Sequence, residues 1–365
     1  MLESSSSVID GLMRGKSVSR MGLRENIWKQ TMERWLSEGY PKDAGGKPVN
    51  PAIHFDLDWG KAGGFFNTFP IKNFKEIVEE NDEWIITRDG NGALLKKMKK
   101  LAGTPEHIDF EMTSREIWEK KYRPHLLSLD PERLDTESAR LGLERWKNHK
   151  KWTYFTGPFI YENMRKSLGD VCMLEGMITD PEWIRDYCKV NTDFYIKHFK
   201  ALFESAGKPQ GIRICDDMGY KQGLFCSPSM LADLVFPFYR ELVDFMHSNG
   251  ISVVLHSCGG IEEALPLILD AGFDALEPLE RAAGCDPVRF AEKVGNRIAL
   301  IGGFDKRIIE SGDRDLMKKE AINLLNSMRR LGARYIFSSD HSISNLVSYD
   351  NYRYLLDVFR ANMYY

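Results

Sequence analysis

The feature that most constrains this chain is a strand–helix alternation that begins near residue 150. Short runs of apolar and β-branched residues at 152–156, 212–215, 251–255, 273–276, 298–301 and 335–337 read as strands, with helical stretches between them. Asp180-Pro181, Ser227-Pro228 and Asp286-Pro287 each supply an N-cap side chain with proline in the first turn. Gly250, Gly272, Gly295 and Gly332 stop the helices that precede them. Six strands in about 190 residues with no intervening hairpin predict a parallel sheet. Closure takes about eight strands, which the segment before 150 can complete, so the expected fold is α/β, a (β/α)8 TIM barrel. The alternative is a doubly wound open sheet, but the first strand–helix turn has no G-x-G-x-x-G and the chain has no Walker sequence.

A barrel brings its strand ends to one rim, and the polar residues of this chain gather just after its strands. His256 and Cys258 close the buried 251–255 strand, and alternation places them on the same side. An imidazole and a thiol together can hold half of a zinc site; the pair can equally be a core histidine and a buried free cysteine. Asp216 and Asp217 follow another strand. Adjacent carboxylates raise each other's pKa, which suits proton handling, or one caps the next turn while the other pairs with a cation. His341, preceded by Asp340, reads as a third metal ligand, a base, or a loop histidine without a role. Glu277 or Glu280 can complete a tetrahedral site, or stand with Arg281 in a surface ion pair. Asp305 follows Gly302-Gly303, whose glycines permit close approach to a substrate. Tyr220 and Phe155 are candidate pocket walls for an aromatic substrate, or core.

The segment before 150 is read as two elaborations on a single domain spanning 1–365. Residues 1–50 form a helical extension with a Ser-rich, poorly ordered start and a helix over 22–38. A strand is expected at 53–59, with His54, Asp56 and Asp58 on one face. Residues 60–124 carry a β-hairpin, 84–88 and 93–98 about Asp89-Gly-Asn-Gly, and a short helix from Ser114. With 43% hydrophobic and 28% charged residues the chain can build a large core. A formal charge of −3 gives no argument for nucleic acid or an anionic membrane. No run approaches the roughly 18 apolar residues of a membrane span, and the first residues lack the apolar core of a signal peptide. Six cysteines without a disulfide-framework spacing suit a reducing cytoplasm, the expected location.

Several blocks carry a family resemblance. Asp216-Asp-Met-Gly-Tyr, Phe225-Cys-Ser-Pro, His256-Ser-Cys-Gly-Gly, Asp274-Ala-Leu-Glu-Pro-Leu-Glu, Ile301-Gly-Gly-Phe-Asp and Ser339-Asp-His-Ser-Ile are similar to the uroporphyrinogen decarboxylase-like superfamily. They most resemble its corrinoid-dependent methyltransferase branch. The resemblance runs over roughly residues 150–365 and is loose before 150. It implies a TIM barrel with its active site at the C-terminal rim. In that branch zinc is held by an H-x-C pair and a later cysteine near the last strand. Here the pair is His256 and Cys258, and His341 stands where the cysteine is expected.

The resemblance therefore implies Zn2+ on His256, Cys258 and His341; Glu277 is a further candidate ligand only by its place at a strand end. Asp216, Asp217 and Asp340 would manage the proton, and Tyr220, Phe155 and Asp305 would face the substrate. A methyl group would pass between a small methyl ether, methylamine or thiol and the cobalt of a corrinoid (cobalamin). That corrinoid would arrive on a separate corrinoid protein, because this chain has no D-x-H-x-x-G segment. No nucleic-acid or membrane partner is implied, and a homodimer is left open. Two other readings stand beside this one: a metal-free decarboxylase-like lyase and a non-catalytic companion of the corrinoid protein. The decarboxylase itself fits less well, since its Met-Arg-Gln-Ala-Gly-Arg signature has no counterpart here.

Overall fold

Eight parallel strands form one sheet in the computed structural model, which describes residues 3–100 and 105–365. They are β1 (Gly22–Leu23), β2 (Trp59–Gly64), β3 (Trp152–Pro158), β4 (Gly211–Cys215), β5 (Ser252–His256), β6 (Ala275–Glu277), β7 (Ala299–Ile301) and β8 (Tyr335–Phe337). Their spatial order is β1-β8-β7-β6-β5-β4-β3-β2. The two outer strands meet through Asp58. Its N–H donates to the Leu23 carbonyl at 2.9 Å, its carboxylate accepts the Leu23 N–H at 2.7 Å, and Arg20 clamps it with two further bonds. The architecture is the expected TIM-like α/β barrel.

Strand alternation divides the core in two. On β5, Val253 and Leu255 face the surrounding helices, whereas Val254 faces the barrel interior with Trp59, Trp152, Ala275, Ala299, Ile301 and Ile336. The interior is plugged at the strand-start end by the helix Ser5–Met13, which buries Val8, Ile9, Leu12 and Met13. This corrects the expectation of a poorly ordered start. Apolar residues at helical spacing, capped by the Ser4 hydroxyl on the Ser7 N–H, each gain roughly 1.5–3 kcal/mol on burial. Met1 and Leu2 lie outside the described residues.

Three further expectations change. The 22–38 helix splits into β1 and the helix Lys29–Ser37, because residues 21–23 are buried in the barrel wall. The 53–59 strand is displaced: Pro51–His54 is a helical turn capped by Asn50, Asp56 is left-handed, and the strand starts at Trp59. His54, Asp56 and Asp58 therefore share no face. A small hairpin, Gly219–Tyr220 with Gly223–Leu224, interrupts the barrel alternation, where the sequence predicts none.

The hairpin Trp84–Asp89 and Ala93–Met98 is the centre of a four-stranded antiparallel sheet completed by Lys75–Glu80 and Glu106–Phe110. It rests on the helix Ile160–Thr179, where Phe110 packs over Gly169. Among the described residues no helix is long and apolar enough to cross a membrane.

Candidate metal centre at the strand-end rim

Above the apolar layer the inward-facing positions turn polar. The register sets His256 of β5 beside Cys215 of β4 on one side and Glu277 of β6 on the other. Glu277 is fully buried, yet Nη1 of Arg24 lies 2.9 Å from its Oε2 and Arg213 Nε donates to its Oε1. Burial alone would raise its pKa. The Arg213 and Arg24 charges and the bond from His256 outweigh burial and hold the carboxyl well below the usual range.

Nδ1 of His256 lies 2.8 Å from Glu277 Oε1. An ionised carboxylate only accepts, so Nδ1 carries the proton and Nε2 presents its lone pair to the barrel mouth. Burial, then the Arg213 charge, lowers the pKa of this imidazole and favours the neutral form. Nε2 is 3.4 Å from Cys258 Sγ and 3.8 Å from Asp217 Oδ1. One donor atom from each of Asp217, His256 and Cys258 falls within 4.8 Å of the others, and no other such trio occurs among the described residues.

The loops that carry these donors are interlocked. The Cys258 N–H donates to Asp217 Oδ1 at 2.9 Å, the Met218 N–H to Ser257 Oγ at 2.9 Å, and the Gly260 N–H to the Tyr220 carbonyl at 2.8 Å. Contact this close needs Gly259, whose φ is +86° and where a Cβ would lie 2.3 Å from the Gly219 carbonyl carbon.

The donor set fits zinc. A thiol sulfur, an imidazole nitrogen and a carboxylate oxygen are its usual ligands, and three protein ligands leave a fourth position open, as in catalytic sites. A ligating histidine also commonly donates its other N–H to a carboxylate, here Glu277.

The other expected site residues lie elsewhere. Asp216 is buried and caps the helix Ile160–Thr179, accepting the N–H groups of Phe159, Tyr161 and Glu162 at 2.9, 3.1 and 3.1 Å and the Tyr239 hydroxyl at 2.6 Å. Burial, not its neighbour Asp217, raises its pKa to about 7. Asp340 is likewise buried, accepting the N–H groups of Arg281 at 3.0 Å and Lys306 at 2.9 Å. Neither carboxylate has a free face for proton transfer at the rim.

His341 meets Trp28 edge-on at 5.8 Å and does not join the trio; its Nδ1 is buried without a partner. Glu277 holds the far nitrogen of His256 and is not itself positioned as a ligand. Asp305 caps the helix Lys306–Ser311 and pairs with Arg307, in a separate cleft of about 250 Å³. Phe155 is fully buried among the outer-layer side chains, because alternation turns Tyr154, not Phe155, inward. Tyr220 is 45% exposed at the rim with Phe225 beside it, ring centroids 5.6 Å apart.

Sequence reasoning missed Arg24, Arg213 and Cys215. A lone cation in the apolar run Ile212-Arg213-Ile214 was a legible signal, since a buried charge demands a partner. Arg24 carried none, because its segment read as helix. Cys215 Sγ lies 2.7 Å from Arg213 Nη1.

The uroporphyrinogen decarboxylase (URO-D) family pattern matches residues 165–361, more than half of the 365-residue chain. The chain belongs to this family. None of the curated proteins matches it. Among solved structures, a methyltransferase from Methanosarcina mazei aligns with this URO-D family member over 98% of both chains, with a TM-score of 0.66 and 14% identity. At that identity the likeness shows a shared fold. A D-tagatose 3-epimerase-like protein aligns over 65% of this chain and 85% of its own, with a TM-score of 0.38 and 15% identity, too remote to bear on the site.

Proposed function

We propose that this URO-D family member is a methyltransferase that moves a methyl group between a small substrate and the cobalt of a corrinoid carried by a separate protein. The single observation that carries the reading is the convergence of Asp217, His256 and Cys258 at the barrel mouth. Asp217 takes the place first expected of His341. The fold shared with a methyltransferase from Methanosarcina mazei supports the reaction class.

Zinc held by these three side chains would act as a Lewis acid, lowering the pKa of a bound thiol or polarising the oxygen of a methyl ether. The chain's own residues prepare that position. Glu277 fixes the His256 tautomer, and Arg213 and Arg24 keep Glu277 ionised. The Cys258 N–H holds Asp217 beside the imidazole. Tyr220 and Phe225 offer an aromatic wall for an aryl ether at the rim, where the corrinoid protein would dock. All six cysteines are free thiols, which supports a cytoplasmic location.

Two measurements test the reading. Protein purified without added zinc should carry one equivalent of the metal, lost in Cys258→Ala. Incubation with reduced corrinoid protein and a panel of methyl ethers, methylamines and thiols should show cobalt methylation or demethylation with at least one. A metal-free protein active on a carboxylated substrate would instead favour the lyase, and inertness with every donor would favour a companion role.

A further inference from the structure

A second cleft, of about 310 Å³, opens at the opposite end of the barrel, where the strands begin. Gly332, Ala333 and Arg334 lead into β8 there, and Asn296 precedes β7. The lining includes Lys16, Ser17, Asn296 and Arg334 as polar side chains and no acidic one.

Arg334 is only 9% exposed. Its Nη1 donates to the Leu12 and Met13 carbonyls at 3.2 and 2.9 Å, at the C-terminus of the plug helix, and its Nε has no partner. Among the described residues neither Arg334 nor Lys16 forms an ion pair. The carboxylate whose charge reaches Arg334 is Asp274, which already accepts bonds from His247 at 2.8 Å and the Val253 N–H at 2.7 Å.

Arg334 sits against one helix C-terminus, which supplies about half a negative charge, and Lys16 lines the same cleft, whose lining holds no acidic side chain. A phosphate monoester, carrying about −1.5 to −2 near neutral pH, suits a cleft lined by an arginine and a lysine. A guanidinium fork and an ammonium point charge are also the usual pair of phosphate donors. The cleft is larger than a phosphate, and Leu12, Val18 and the Tyr365 ring give its remainder an apolar wall.

We propose that this cleft binds the phosphoryl group of a small organic phosphate through Arg334 and Lys16, at a site separate from the metal centre. Calorimetric titration of the full chain with inorganic phosphate and pyrophosphate at low ionic strength tests it. One saturable site is expected, weakened about tenfold in Lys16→Gln and in Arg334→Lys. Lys16 is exposed, so its variant should melt like the parent and keep the comparison valid if Arg334→Lys folds poorly. Binding should be unchanged in Cys258→Ser. Absence of a saturable site, parental affinity in Lys16→Gln, or loss of binding in Cys258→Ser would each overturn the proposal.

Discussion

Glu277 and His256 are joined at 2.8 Å on neighbouring strands at the same level of the barrel, and the carboxylate of the pair lies between two guanidiniums. The contact decides which imidazole nitrogen faces the mouth. Glu277→Gln replaces a charged group that can only accept with a neutral amide that can also donate, so the His256 tautomer is no longer dictated and metal affinity should fall by about 10–100-fold, read by competition with a chromophoric chelator. Glu277→Ala should in addition destabilise the fold by about 3–5 kcal/mol in urea unfolding, because two buried cations lose their shared partner. Parental metal affinity in the glutamine variant would remove Glu277 from this role.

The choice of third donor is separable by mutation. Asp217→Ala should lose most of its metal, whereas His341→Ala should keep it, since only the first belongs to the convergent trio. Metal content of the two purified variants is the measurement, and the reverse pattern would restore His341 as the ligand.

Asp216 should behave as a structural residue. Asp216→Ala strands three backbone N–H groups and the Tyr239 hydroxyl. A loss of roughly 2–3 kcal/mol is expected, the upper end of an N-cap deletion with a buried donor added. Metal stoichiometry of the folded fraction should not change. Full stability with lost activity would place Asp216 in the chemistry instead.

One pH dependence follows from a contact far from the rim. The hydrogen bond that His247 donates to Asp274 outweighs partial burial and raises the imidazole's pKa in the folded protein. The folded state then binds the proton more tightly than the unfolded chain. The gain is fully present below the unfolded value, about 6.5, and is lost as pH rises through the higher folded value. Comparing the parent with His247→Ala by urea unfolding, the parent's advantage should be largest near about pH 5.5 and vanish by about pH 9. With His247 41% exposed, the difference should stay below about 1 kcal/mol. An advantage that grows with pH would refute the assignment.

Gly259→Ala probes the interlocked loops. The added methyl meets the Gly219 backbone and the left-handed φ adds strain, so a loss of about 2 kcal/mol or more is expected. Because Cys258 is adjacent, metal affinity should fall as well; a stable variant with intact affinity would show that the two loops move independently.

Much of this molecule was decided locally. The alternation after residue 150 and the caps at Asp180, Ser227 and Asp286 depend on residues a few positions apart, and each cap appears where expected. So does the shared side of His256 and Cys258, since alternation is a property of the extended backbone itself. Tertiary structure decided the rest. Asp216 and Asp217 are chemically alike and adjacent, yet one meets the N–H groups of a helix start and the other meets an imidazole. Which groups reach a carboxylate depends on chain segments tens of residues away, and only the closed barrel brings them together. The same holds for Arg213 and Glu277, 64 residues apart, and for the first turns of the chain, whose apolar stripe has meaning only once there is a barrel to plug.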